Sequence, residues 1–289
     1  MLRTRVLTAL VMLLVLYIAT VWTTPYQFAL FVSAVLLVGV YEWTGLMGLR
    51  NLAARALYLF LFLLAMAALA GLTGLQVDSA SLPRTPVLLI SGAGVLFWLF
   101  AFVLIRHYPA NESRWVGWPK TGLMGFVVLL PTWMALIQLK YLEIHGALVF
   151  ALVALVSIAD IGAYFTGRAW GRTKLAPTLS PGKSWEGFWG GMACCFLLAL
   201  ALLYPLNLFA GPLSLPQSLA ALVAAMIVAV FSVLGDLFES MLKRSQGLKD
   251  SGRVLPGHGG VLDRIDSLTA AAPVFIFFFL LLFADVSWP

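Results

Sequence analysis

Asp236, Ser240 and Lys243 are spaced by four and then three residues, so a helix would line them along one face. Glu239 lies one turn from Lys243 and can pair with it. Further on, Asp263 and Asp266 form a second pair, three residues apart, just before an apolar run. That second pair closes the stretch KDSGRVLPGHGGVLDRIDS, residues 249–267, which holds three aspartates, three basic residues, one histidine and four glycines. Carboxylates together with phosphates are the usual ligands of Mg²⁺. The interleaved Lys243, Lys249, Arg253 and Arg264 suit phosphate oxygens. His258 has the chemistry of a general acid or base, or of a donor to phosphate. Gly259 and Gly260 would let the backbone approach a ligand. The combination reads as a site that handles a nucleotide or pyrophosphate with a divalent metal, with Asp236 and Asp263 presented by two helices at one mouth. A loop that only carried topological charge would need the basic residues, but not Asp263, Asp266, His258 and the glycines.

Two further clusters leave more than one reading open. In SIADIGAYFTGRAWGR, 157–172, Asp160 is a carboxylate near the end of an apolar segment, and Gly162, Gly167 and Gly171 allow close helix approach; packing and chemistry are served equally. In LSPGKSWEGFWGG, 179–191, Ser180 reads as a helix N-cap with Pro181 at the first position, and Lys183 and Glu186 share a face. That helix N-terminus would suit a phosphate, but it also fits an ordinary start to a membrane helix.

The elements that must position these groups are membrane helices. The chain of 289 residues is 62% hydrophobic and 10% charged, with a mean hydropathy of +0.99. No soluble domain of this length is so apolar. Nine apolar segments are long enough to span, at about 6–23, 26–48, 52–74, 86–105, 121–139, 144–166, 187–210, 217–240 and 269–285. The expected fold is all-α: a polytopic transmembrane bundle of about nine spans, with N-terminal helices over 1–140 and a catalytic region over 141–289.

With the N-terminus in the cytoplasm, sixteen of the 18 Lys and Arg residues fall on the cytoplasmic side, and only Arg84 and Lys140 fall outside. The C-terminal DVSWP is then outside, and the charged clusters face the cytoplasm. The net charge of +6 is read as topology and contact with anionic lipid or phosphate, not nucleic acid. The first segment, behind Arg3 and Arg5, is too long for a signal peptide and lacks a cleavage site. Glu42, near the end of the second span beside Trp43, reads as snorkelling or structural. Adjacent Cys194 and Cys195 read as small packing residues.

These motifs resemble the phosphatidate cytidylyltransferase (CDP-diacylglycerol synthase) family. The pattern S-x-x-K-R-x4-K-D-x-G-x2-L-P-G-H-G-G-x-L-D-R-x-D runs from Ser240 to Asp266, through Lys243, Arg244, Lys249, Asp250, His258, Gly259, Gly260, Asp263 and Arg264. SPGKSWEG resembles the family's S-P-x-K-[ST]-x-E-G element, with Gly182 where relatives carry lysine. DIGAYFTGRAWG resembles its D-x-x-A-Y-x-x-G-[RK] element. The resemblance covers about 157–267; the N-terminal spans match only in hydrophobicity. It implies Mg²⁺-dependent transfer of CMP from CTP to phosphatidate, giving CDP-diacylglycerol and pyrophosphate. It also implies a bacterial inner-membrane location, and a homodimer is a further expectation.

The expected roles are metal binding by Asp236 and Asp263, with Asp250 and Asp266 as further candidates. Lys243, Arg244, Lys249 and Arg264 would neutralise phosphates, and His258 with its glycines would shape the cradle. Ser180, Lys183 and Glu186 would hold nucleotide or lipid phosphate, with Asp160 and Ser240 as polar anchors. A CTP-dependent polyprenol or phytol kinase would use similar parts but transfer the γ-phosphate. A transporter would place ionisable residues at mid-membrane in repeated halves, a pattern not seen here.

Overall fold

The computed structural model describes residues 2–283. In order, its elements are α1 (Leu2–Val21), α2 (Pro25–Leu46), α3 (Leu52–Thr73), α4 (Arg84–Arg106), α5 (Glu112–Trp115), α6 (Trp118–Leu142), α7 (Ala147–Trp170), β1 (Lys174–Ala176), β2 (Ser180–Ser184), α8 (Trp185–Ala210), α9 (Leu215–Ser245) and α10 (Leu262–Leu282). All nine expected spans are helices. Eight are long and apolar enough to cross a membrane, and the described apolar stretch of α1, Val6–Val21, is shorter. The chain is a polytopic α-helical integral membrane protein. The DVSWP terminus and the side chains of Arg3 and Arg5 lie outside the described residues.

Turn chemistry starts and stops these helices. Thr24 and Ser214 each form a capping box with the glutamine three residues on, Gln27 and Gln217, followed by Pro at the first turn. Two departures from the sequence reading matter for the site. First, α9 runs on to Ser245 and α10 begins at Leu262, beyond the expected spans of 217–240 and 269–285, so the helices reach past Lys243 and Asp263, which the sequence already placed on helices, to take in Arg244 and Asp266. Apolar composition marks where a helix crosses lipid, not where its backbone hydrogen bonding ends.

Second, SPGKS is not a helix N-terminus. Ser180–Ser184 is strand β2, paired antiparallel to β1. The cap of α8 is Ser184, whose Oγ accepts from the Gly187 N–H at 3.1 Å. Lys183 and Glu186 therefore do not share a helical face.

Helices α7 and α8 lie close because glycines line their contact. A Cβ at Gly191 would stand 2.6 Å from the Ala159 carbonyl, and one at Gly187 2.8 Å from that of Ala163. α10 packs against α9 as well as α4 and α6, so helices from both sides of residue 140 share it. Pro273 removes the N–H that would bond the Thr269 carbonyl. That carbonyl instead accepts from Trp98 Nε1 at 3.2 Å and Thr132 Oγ1 at 2.9 Å. A break in one helix thereby becomes a three-helix junction that fixes α10, the helix carrying Asp263 and Asp266.

Candidate active site

At one end of the α7–α10 group, charged side chains of four elements meet. Lys243, on α9, places its Nζ 2.7 Å from Glu239 Oε2 and 2.7 Å from Asp263 Oδ1. All three groups are buried. The Asp263 carboxylate is shared: its Oδ2 accepts from the Ser251 N–H at 2.9 Å and the Gly260 N–H at 2.8 Å. On the same helix as Lys243, the part-exposed Asp236 takes the Lys183 ammonium on Oδ2 at 2.7 Å and the Ser240 hydroxyl on Oδ1 at 3.3 Å. Asp160, exposed on α7, lies within the electrostatic reach of Lys183, Asp236 and Arg264. Asp266, on α10, accepts from its neighbour's N–H, Ser267 to Oδ1, at 2.7 Å, and interacts with Asp236, Glu239 and Lys243. Gly235 makes this possible: any side chain there would collide with the Asp266 carbonyl, so α9 and α10 converge at that point.

The glycine-rich segment is folded back on protein carboxylates. Leu255 and Gly259 pair across a tight turn, with the Leu255 N–H donating to the Gly259 carbonyl at 2.9 Å. Gly257 and Gly259 adopt φ of +75° and +85°, a left-handed conformation that other residues rarely tolerate. Gly252 and Gly260 lie against Glu42, and Gly259 against Asp263; a Cβ at any of them would crowd those carboxylates. These glycines thus admit the protein's own acids, where the sequence suggested close approach of a ligand.

Glu42, on α2, which the sequence marks as snorkelling or structural, takes a structural place at the glycine-rich segment. It is 4% exposed, and its oxygens accept from the Val261 N–H at 3.0 Å, the Leu262 N–H at 2.9 Å and the Ser251 hydroxyl at 3.4 Å. Helix α10 has no cap from its own N-cap residue; Glu42 supplies one from another helix. The signal in the sequence was a lone glutamate at the end of an apolar span.

The remaining candidates divide. Glu186, in the first turn of α8, accepts the Thr173 N–H at 3.1 and 3.2 Å and ties the hairpin to the helix. Ser180 pairs with Ala176 within the hairpin. Arg244 is exposed and donates to the carbonyls of Leu179 at 3.4 Å and Leu248 at 3.2 Å, holding the hairpin against the end of α9. Lys249 and Asp250 face a second space, although Asp250 also lies against Gly259 beside Asp263. With Tyr41, Glu42, Arg55 and Arg253 they line a cavity of about 450 Å³ between the loop and α2–α3. Arg264 is exposed. His258 sits in the tight turn with Nδ1 buried and without a hydrogen-bond partner.

The sequence profile of the cytidylyltransferase family matches residues 3–282. The chain belongs to that family. A protein named phosphatidate cytidylyltransferase from Pseudomonas aeruginosa is 44% identical over 276 residues, covering 95% of this chain and 96% of its own length. Proteins of the same name from Haemophilus influenzae and Brucella suis are each 37% identical, covering 96% and 100% of this chain and 99% and 96% of their own lengths. The similarity of this cytidylyltransferase therefore includes the N-terminal helices, beyond the motifs of 157–267. It takes in α2, whose Glu42 caps the helix of Asp263.

Proposed function

We propose that this chain is a phosphatidate cytidylyltransferase. A phosphate oxygen of phosphatidate bonds to the α-phosphorus of CTP. The bond to the α–β bridging oxygen breaks, pyrophosphate leaves with that electron pair, and CDP-diacylglycerol remains in the membrane. The observation that carries this reading is the meeting of Lys183–Asp236–Ser240 with Glu239–Lys243–Asp263 at one end of four apolar helices. There a water-soluble nucleotide and a lipid headgroup can both reach the same charges. No covalent enzyme intermediate is needed; catalysis is positioning and charge stabilisation.

Charge balance supports a divalent metal. Five carboxylates, Asp160, Asp236, Glu239, Asp263 and Asp266, face three bases, Lys183, Lys243 and Arg264, so acids outnumber bases in the site. Two polyanionic substrates entering such a site require added positive charge. Glu239 Oε1 is also buried without a hydrogen-bond partner. Among the described residues no group of three His, Cys, Asp or Glu forms a complete metal cage. Mg²⁺ commonly uses one or two carboxylates together with substrate phosphates.

Asp236, the more open of the two, and Asp263, held by Lys243, are the residues that would hold the metal. When bound, the metal supplies charge neutralisation at phosphate oxygens. Lys183 moves from Asp236 to a substrate phosphate, Lys243 holds Asp263 in place, and His258, with Nδ1 otherwise unpartnered, donates to phosphate.

The site faces the cytoplasm of a bacterial inner membrane in this reading. Sixteen basic residues cluster on that side. The two assigned outside are absorbed by structure: Arg84 donates to the Leu280 carbonyl, and the fully buried Lys140 donates to the carbonyls of Thr20 and Ile144. Purified protein is incubated with CTP labelled at the α- or the γ-phosphate, phosphatidate and Mg²⁺, with and without EDTA. Label from the α-position in lipid and from the γ-position in pyrophosphate, both abolished by EDTA, supports cytidylyl transfer. Label from the γ-position in lipid would instead make the enzyme a lipid kinase.

A further inference from the structure

We infer that Glu42, on α2, is a positioning residue for Asp263 and so sets the affinity of the site for its divalent cation; the inference rests on the metal reading above. Asp263 Oδ2 is held by two backbone donors, the N–H groups of Ser251 and Gly260. Both donors belong to the glycine-rich segment, and both residues lie against Glu42. The Ser251 hydroxyl donates to Glu42 Oε2 at 3.4 Å, so one residue joins the two carboxylates. A Cβ at Gly260 would stand 2.6 Å from Glu42 Oε2, and one at Gly252 would collide with Glu42 Oε1. The N–H groups of Val261 and Leu262, which open α10 just before Asp263, donate to the same carboxylate at 3.0 and 2.9 Å.

Helix α2 is fixed where Glu42 leaves it. The neighbouring Trp43 donates its Nε1–H to the Thr121 carbonyl of α6 at 2.9 Å, and Gly39, one turn earlier on α2, lies against Leu262. A cap alone would not call for this arrangement, because a serine, threonine or aspartate at position 261 would supply the acceptor locally. The chain has Val261 there, whose side chain accepts nothing, and the acceptor comes from α2 instead. Hydrogen bonds to a carboxylate are stronger than those between neutral groups. The Glu42 carboxylate therefore binds the glycine-rich segment and the start of α10 into one unit, and with them the two N–H groups that aim Asp263. Without Glu42, Ser251 and Gly260 are free to shift, and Asp263 no longer presents its oxygens to a cation in one fixed direction. Groups that orient a metal ligand change metal affinity by about 10–100-fold when they are removed.

The test is Mn²⁺ binding to the purified protein, followed by the electron paramagnetic resonance signal of the free ion, for the parent, Glu42→Ala, Glu42→Gln, Lys140→Met and Asp263→Asn. The expected result is binding about 10–100-fold weaker in Glu42→Ala. It is partly restored in Glu42→Gln, whose amide oxygen still accepts, and unchanged in Lys140→Met, which disturbs the bundle elsewhere. The Mg²⁺ concentration for half-maximal CDP-lipid formation should rise in parallel with the loss of Mn²⁺ affinity. Should Glu42→Ala not fold, Gly252→Ala, which keeps the carboxylate but pushes the segment away from it, is expected to weaken Mn²⁺ binding as well. Parental affinity in Glu42→Ala, or in Gly252→Ala where that variant stands in, overturns the inference and leaves the metal reading in place. Equal weakening in Lys140→Met also overturns it, since the effect would then be one of general stability. A parent that binds no Mn²⁺, or whose binding Asp263→Asn leaves unchanged, overturns the metal role of Asp263 and the inference with it.

Discussion

Lys140 and Lys243 are both buried lysines in one helical bundle, and they are satisfied in opposite ways. Lys140, fully buried on α6, donates to the carbonyls of Thr20, near the end of α1, and Ile144, in the turn before α7, and makes no salt bridge among the described residues, although the Glu143 carboxylate acts on its charge. Lys243 meets two carboxylates, each at 2.7 Å. A cation on carbonyl dipoles at helix ends is a clamp: it joins segments and leaves no charge for a ligand to address. A cation between carboxylates, with Asp236 and Asp266 close by, belongs to a cluster whose charges can be redistributed when phosphate or metal arrives. One end of the molecule spends its ionisable groups on architecture, and in the proposed reading the other keeps them available for chemistry.

Breaking the comparison at its charged end should have the largest effect. Lys243→Met leaves Glu239 and Asp263 buried and facing each other, and losing one partner of such a network costs about 3–5 kcal/mol. CDP-lipid formation should fall at least 10³-fold, and the unfolding temperature in detergent should drop; near-parental activity would show that Lys243 is a clamp like Lys140.

Asp236→Asn should keep the fold, because its pair with Lys183 is part-exposed and worth at most about 1 kcal/mol. Turnover should still fall about 10²–10³-fold, as for loss of one charged contact to the reacting phosphates. Turnover within a few-fold of the parent would remove Asp236 from the metal role. At the other end, Lys140→Met should lower stability by about 2 kcal/mol, leaving buried carbonyls without donors, while kcat stays within a few-fold.

Glu42→Ala tests whether α2 belongs with the charged end. Loss of the α10 cap leaves two buried N–H groups unpaired and should cost about 2 kcal/mol. Activity should fall about tenfold and be partly restored by Glu42→Gln, whose amide oxygen can still accept. Ser184→Ala, which removes only the α8 cap, should cost about 1 kcal/mol by thermal unfolding and change turnover least.

The sequence made the nine helices legible because lipid demands continuous apolar stretches, and composition alone records them. It also located Asp236, Lys243 and Asp263, since helical spacing places Asp236 and Lys243 on one face and the glycine loop brings Asp263 back to them. Two features escaped it. The hairpin at 174–184 reads as a helix start because Ser-Pro is a common N-cap pair, and nothing local reveals the strand at 174–176 that pairs with it. Glu42 lies more than two hundred residues from the N–H groups it accepts, a distance periodicity cannot bridge. The glycines at 252 and 260 were noticed, but the carboxylate they accommodate comes from α2.

The central claim is that the cluster around Asp236 and Lys243 transfers the cytidylyl group while the Lys140 end only holds the bundle. It is tested most directly by following α-labelled CTP into lipid with purified parent, Lys140→Met and Asp236→Asn proteins, each confirmed folded. The account predicts lipid label from the parent and Lys140→Met at comparable kcat, with Asp236→Asn lower by two orders of magnitude or more. Comparable labelling by all three, or loss in Lys140→Met alone, would contradict it.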